Sequence, residues 1–157
     1  MSEQNDYAKK VWLNSYEKGV KSSIDFKDIL IPQYLEESVK NFPENPALIF
    51  QGFTMNFTEL NDMVARFAAA LKGFGVKKGD SVAILLPNVI PCVVAYYATL
   101  KIGGIVVLNN PLYADRELEH QFNDSKSTFL ITLDLLANRM VKLREKTNIK
   151  TIVYTSI

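Results

Sequence analysis

The sequence predicts an α/β domain: a mainly parallel sheet flanked by helices, with a short antiparallel hairpin near residues 47–57. Three observations predict it. Residues 81–86 (SVAILL) form an unbroken, largely branched apolar run, the pattern of a strand buried on both faces. Residues 91–100 follow as an almost wholly apolar helix, closed by Gly103-Gly104, and residues 105–108 (IVVL) open the next strand. Strand, crossover helix and strand make a parallel pair. From there to residue 157 short apolar runs keep alternating with helix-spaced segments, which is the α/β signature.

Before this unit, residues up to about Lys27 read as an arm. Trp12 and Tyr16, four apart, could pack together as one helical face; the favoured expectation is that they pin the arm onto the domain surface. Ile31-Pro32 opens a short helix whose apolar face is Leu35 and Val39. The two prolines between Asn41 and Pro46 mark a loop. Residues 47–50 and 54–57 are short apolar runs separated by Gln51-Gly52, a hairpin signal. Thr58 is read as the N-cap of the next helix, with Glu59 and Asp62 in its first turn. Leu60, Met63, Val64, Phe67, Leu71 and Phe74 then recur at spacings of three and four, giving one buried stripe. On that reading Met63→Asp or Phe67→Asp unfolds the domain. Gly73 and Gly75 end the helix, and residues 77–80 (KKGD) form a polar turn into the central strand.

After Pro111, residues 115–123 predict a short helix with Leu118 and Phe122 inward. Residues 128–132 predict a strand. Residues 133–146 predict a helix with Leu136, Met140 and Leu143 on one side and Arg139, Lys142, Arg144 and Lys146 on the other. Residues 150–154 predict the last strand. The expected organisation is an N-terminal arm over residues 1–30 and an α/β subdomain over residues 31–157, incomplete at its C-terminus.

Composition narrows the function classes. Apolar residues are 48% and charged residues 22% of 157, ordinary for a globular domain with a real core. Lys+Arg is 18 against Asp+Glu 17, so no strong field exists for nucleic acid or an anionic membrane. Residues 1–18 are polar and mixed in charge, without the apolar stretch of a signal peptide. No charge falls between Asp80 and Lys101, but Pro87, Asn88 and Pro91 split that run into pieces too short to span a bilayer. Cys92 is the only cysteine, which excludes an internal disulfide and fits a reducing, cytoplasmic setting.

The chemical inventory is thin. His120, the only histidine, sits among charges in RELEHQ and reads as a solvated surface residue. Cys92 reads as a small core residue, and nothing in the sequence pairs the two. Gly103-Gly104 follows a helix and precedes a strand. That is the wrong order for a phosphate cradle and the right one for a helix C-cap. Glu117, Glu119 and Asp124 are spaced as a solvated face rather than as paired acids. The basic residues near the end lack interleaved aromatics that would stack bases. No residue of the chain is assigned a catalytic, cofactor-binding or metal-ligating role.

Several motifs together carry a resemblance. Residues 55–60 (MNFTEL), 79–88 (GDSVAILLPN), 100–104 (LKIGG, running on to Pro111), 110–113 (NPLY), 116–118 (REL) and 123–125 (NDS) occur in the order and spacing of the N-terminal part of an AMP-forming acyl-CoA synthetase, of the adenylate-forming superfamily. The arm from Trp12 to Tyr16 is similar to that of long-chain fatty-acid–CoA ligases. The resemblance implies a partial domain of the adenylate-forming fold. For a full-length parent it implies ATP, Mg²⁺ and coenzyme A as cofactors and a fatty acid as substrate. It also implies that this fragment is structural and inactive alone. The family's Ser/Thr/Gly-rich phosphate loop with its lysine does not follow Thr155-Ser156. The resemblance leaves open another acid (medium-chain, aryl or amino acid), a peripheral position of the parent at a membrane, and self-association of the fragment. A different class, a freestanding flavodoxin-like binding module, would show an acidic cluster or a phosphate loop at strand C-termini.

Overall fold

The computed structural model describes residues 9–156; residues 1–8 of the expected arm, and Ile157, lie outside the described residues. Five α-helices and six strands are formed among the described residues: α1 Ile31–Asn41, β1 Pro46–Phe50, β2 Phe53–Asn56, α2 Phe57–Gly73, β3 Ser81–Leu85, α3 Ile90–Lys101, β4 Ile105–Leu108, α4 Asp115–Asp124, β5 Phe129–Leu133, α5 Ala137–Arg144 and β6 Thr151–Thr155. The main sheet has the order β4-β3-β5-β6, and all its pairs are parallel. β1 and β2 form a separate antiparallel hairpin. Its turn places Gln51 at φ 48° and Gly52 at φ 83°, the paired left-handed conformations of a tight hairpin turn.

β3 is the centre of the molecule, and its alternate residues feed two cores. Val82, Ile84 and Leu86 join Leu60, Val64, Leu71, Val94 and Ala98, so α1, α2 and α3 cover one face. Ala83 and Leu85 join Leu118, Phe122, Met140 and Leu143, so α4 and α5 cover the other. Both faces of β3 are therefore sealed, as its unbroken apolar run requires.

The Gly103-Gly104 pair terminates α3 as a helix C-cap. Gly103 N–H donates to Leu100 O at 3.0 Å and Gly104 N–H to Thr99 O at 2.9 Å. This is the paired-bond termination that favours a left-handed residue, here Gly103 at φ 78°. α2 ends the same way: Gly75 N–H donates to Lys72 O at 2.9 Å and Val76 N–H to Leu71 O at 3.0 Å.

Several local expectations are corrected. The N-cap of α2 is Asn56, not Thr58: the Asn56 side chain accepts the Glu59 N–H at 2.8 Å. Thr58 lies inside the helix and donates to Pro43 O at 3.1 Å, and Phe57 starts the helix instead of ending a strand. The buried stripe is Leu60, Val64, Ala68 and Leu71; Met63 and Phe67 are half-buried at its edge and Phe74 is 53% exposed. Phe74 is the C-cap residue, where the chain already turns away from the core.

The expected helix over residues 133–146 is split. Leu133 completes β5 and is buried in the first core; Asp134–Leu136 is a single tight turn, and only then does α5 begin. Residues Val11–Ser15 form a turn of 3₁₀ helix, with Trp12 and Tyr16 40% and 45% exposed. With three residues per turn, positions four apart no longer share a face.

Candidate functional site

In an open parallel sheet the carboxyl ends of the strands meet where successive crossovers diverge, and ligands settle there. In this sheet the divergence lies between β3 and β5: the chain leaves β3 for β4 on one side, then crosses β3 to reach β5 and β6 on the other. Three strand-to-helix loops surround the point.

Across the three, several backbone N–H groups are already bonded within the chain or absent at proline. After β3, Pro87 has no N–H and Val89 N–H donates back to Pro87 O at 2.8 Å. In the first turn of α3, Pro91 has no N–H and Cys92 N–H donates to Val89 O at 3.0 Å. After β4, Asn110 Oδ1 accepts the Leu112 N–H at 3.0 Å and the Glu117 carboxylate accepts the Ala114 N–H at 2.7 Å. After β5, the Asp134 carboxylate accepts the Leu135 N–H at 2.7 Å. Proline and carboxylates at helix N-termini satisfy or remove the donors that would hold a phosphate, and the carboxylates repel one.

Two of the open depressions bear on these strand ends and the neighbouring sheet edge. One, of about 450 Å³, lies between the ends of β3 and β4 and is lined by Pro87, Asn88, Asn109, Asn110 and Leu112 among others. Asn109 is its distinctive residue. It is buried, its N–H donates to Ile84 O at 2.9 Å and its Nδ2 donates to Val107 O at 2.8 Å, while Oδ1 has no partner. Sequence reasoning passed over it. Its only trace was its place between an apolar strand and Asn110-Pro111. The other depression, of about 420 Å³, is a mainly apolar cleft between α2, α3 and the edge strand β6, lined by Met63, Phe67, Pro91, Val94 and Val153 with Arg66 at its rim.

The residues weighed from the sequence fall apart in space. His120 is exposed on α4, and Cys92 is half-buried on α3. Those helices cover opposite faces of the sheet, so no Cys–His pair forms. Burial pushes the Cys92 thiol above its ordinary value, the reverse of an activated nucleophile. Glu117 caps α4, and Asp124 is exposed at its far end. Among the described residues no cluster of three or more His, Cys, Asp or Glu is placed to hold a metal ion. Arg139, expected on an outer face, ties α5 to the start of α4. It donates to Asp115 Oδ1 at 2.6 Å and to Tyr113 O at 2.5 Å.

Comparison with known proteins accounts for this arrangement. The AMP-binding enzyme family is matched over residues 35–156. A long-chain-fatty-acid–CoA ligase of Escherichia coli O6:H1 is 39% identical over 150 residues, 94% of this chain and 27% of its own length. The ligase of the same name from Bacillus subtilis is 35% identical over 150 residues, 96% of this chain and 27% of its own length. The chain thus spans about a quarter of these relatives. The crystal structure of a long-chain-fatty-acid-CoA ligase from Archaeoglobus fulgidus superposes with a TM-score of 0.80 at 27% identity, over 89% of this chain and 30% of that one. An anthranilate CoA ligase structure at 23% identity, TM-score 0.77, shares the fold. The chain belongs to the AMP-binding enzyme family, as part of an adenylate-forming domain.

Proposed function

We propose that the chain is the N-terminal portion of an ATP-dependent long-chain fatty acid–CoA ligase, in which it serves as structural support and is inactive alone. The observation that carries this reading is the identity of 39% and 35% to long-chain ligases over nearly the whole chain. In the proposed reaction of the whole protein, a fatty-acid carboxylate oxygen attacks the α-phosphorus of ATP and pyrophosphate leaves. The thiol sulfur of coenzyme A then attacks the acyl carbon, its proton is lost to a base, and AMP leaves. Mg²⁺, when bound, would neutralise phosphate charge. The present residues supply the double-faced sheet on which such a site is mounted. Within them we assign residues 1–30 to an arm and 31–157 to the subdomain, a cytoplasmic setting, and, for the longer protein, a peripheral position at a membrane.

The capped and proline-blocked helix N-termini support placing phosphate binding outside these residues. Calorimetric titration of the chain with MgATP tests this directly: no binding heat is expected, and micromolar affinity would overturn it. The acid is tested on the longer protein. Acyl-CoA formation should be faster with a long-chain fatty acid than with a medium-chain acid, benzoate or an amino acid. Preference for one of those acids would move the protein elsewhere in the superfamily, and nucleotide-free ligand binding with no ligase activity would favour a freestanding module.

A further inference from the structure

The net charge of +1 hides an asymmetry along the chain. Residues 126–157 hold six basic residues against two acidic ones, whereas residues 1–125 hold twelve against fifteen. Of the six, Arg139 is paired with Asp115. The other five, Lys126, Lys142, Arg144, Lys146 and Lys150, are exposed, and among the described residues none of them is ion-paired. Lys142 and Arg144 lie in the last turn of α5, where they complement the helix dipole. Lys126, Lys146 and Lys150 lie outside the helices, in the connections that lead into β5 and β6.

Those three lysines are gathered at the amino ends of β5 and β6 largely by one side chain. Asn123 Oδ1 accepts the Asn148 N–H at 3.1 Å and Asn148 Nδ2 at 3.2 Å, and Asn123 Nδ2 donates to Lys146 O at 3.0 Å. Lys126 N–H donates to Asn123 O at 3.1 Å, with Lys126 held at φ 53°, and Lys150 N–H donates to Thr128 O at 2.8 Å. Between them lies a hollow of about 610 Å³, lined by Asn123, Lys126, Thr128, Thr147, Asn148 and Lys150 among others. No carboxylate lines it, and its one large apolar residue, Ile149, is buried. It is at the opposite end of the sheet from the divergence at the strands' carboxyl ends.

We propose that this end of the sheet docks an acidic segment of a partner protein, a loop or helix carrying several closely spaced carboxylates. Lysines at the rim attract such a segment, and the threonine hydroxyls and Asn148 amide inside offer it hydrogen bonds. The backbone bonds around Asn123 fix where the three lysines are attached before a partner arrives, so less freedom is lost on docking. A flat bilayer would neither fill the hollow nor find exposed apolar side chains in it to bury. No aromatic side chain lines it to stack a base.

Fluorescence anisotropy of labelled octaglutamate, titrated with the 157-residue chain at low salt, reads the docking. Saturable one-to-one binding is expected, weakening as salt is raised. The triple variant Lys126→Gln, Lys146→Gln, Lys150→Gln should bind roughly tenfold more weakly. Lys18→Gln, Lys21→Gln, Lys72→Gln makes the same change of net charge at exposed positions elsewhere and should bind as the unsubstituted chain does. Asn148→Phe fills the hollow without a change of charge and should also weaken binding. The lysine positions are exposed, so thermal unfolding should be unchanged in both triple variants. Absence of saturable binding overturns the proposal, as does equal loss in the two triple variants, which would assign the effect to net charge alone. Full affinity in Asn148→Phe overturns the assignment to the hollow. Octathymidylate binding as tightly as octaglutamate would give the site to nucleic acid instead. The readout is binding and not acyl-CoA formation, so it stands or falls independently of the ligase reading.

Discussion

Gly104 and Thr99 are packed so closely that a Cβ on Gly104 would stand 2.9 Å from the Thr99 Cγ2 methyl and 3.2 Å from the Thr99 carbonyl oxygen. Thr99 is fully buried, and the residue after Gly104 is locked to the next strand by Ile105 N–H donating to Asp80 O at 2.8 Å. The glycine pair thus lets α3 turn straight into β4 against the central strand.

Gly104→Ala should therefore cost about 1–3 kcal/mol through overpacking. Urea denaturation should show a lower midpoint, and adding Thr99→Ser, which removes the facing methyl, should recover part of the loss. Equal loss in single and double variants would mean that the backbone carbonyl, not the methyl, sets the limit.

Asn56→Ala should destabilise the chain by about 1 kcal/mol. Asn56 and Glu59 satisfy each other reciprocally: the Asn56 N–H donates to the Glu59 carboxylate at 2.9 Å and the Asn56 side chain accepts the Glu59 N–H at 2.8 Å. Thr58→Ala removes only an exposed bond to Pro43 and should cost less in the same thermal-unfolding series.

Leu71→Ala should cost about 2–5 kcal/mol, since Leu71 is fully buried between α2 and the sheet. Val64→Asp should abolish folding, which circular dichroism would register. Met63→Asp should leave the chain folded, because Met63 lines the open apolar cleft where a carboxylate stays hydrated. Loss of structure in Met63→Asp would show that the cleft is closed in solution.

Cys92 should alkylate more slowly in the folded chain than in urea at mildly alkaline pH. Burial raises its folded pKa, so the thiolate is scarcer in the native state. The sign for stability follows: the contribution of the neutral thiol is present below its unfolded pKa and lost as pH rises through the folded one. A faster native than unfolded rate with iodoacetamide would reverse the assignment.

β6 should mediate self-association of this chain. It is an edge strand of the parallel sheet with Tyr154 42% exposed beside the apolar cleft, and open edges pair. Light scattering should show mass rising with concentration, and Val153→Lys should suppress it. An unsubstituted chain that stays monomeric at high concentration would count against it.

Much of the element pattern was legible because short-range chemistry specifies it. The uncharged run over 81–86 read as a doubly buried strand, and it became the centre of the sheet. Gln51-Gly52 read as a hairpin turn and supplied its two positive φ angles. Leu118 and Phe122 read as inward and are buried. The misreadings fall where two local signals competed. Thr58 and Asn56 are both good caps, and the reciprocal carboxylate of Glu59 favoured Asn56. Leu133 fits strand or helix by period, and burial against the first core settled it as strand.

The chain's own periodicity and turn residues thus determined which segments are strands and helices, and the order of its motifs pointed to its family. Three-dimensional packing alone decided the strand order β4-β3-β5-β6, because parallel neighbours are set by contacts between residues far apart in sequence. It also decided that Asn109 is buried with an unpartnered oxygen and that Pro91, Glu117 and Asp134 come together in the loops around the sheet's divergence. Those features depend on which loops the fold brings to one end of the sheet, which spacing along the sequence does not encode.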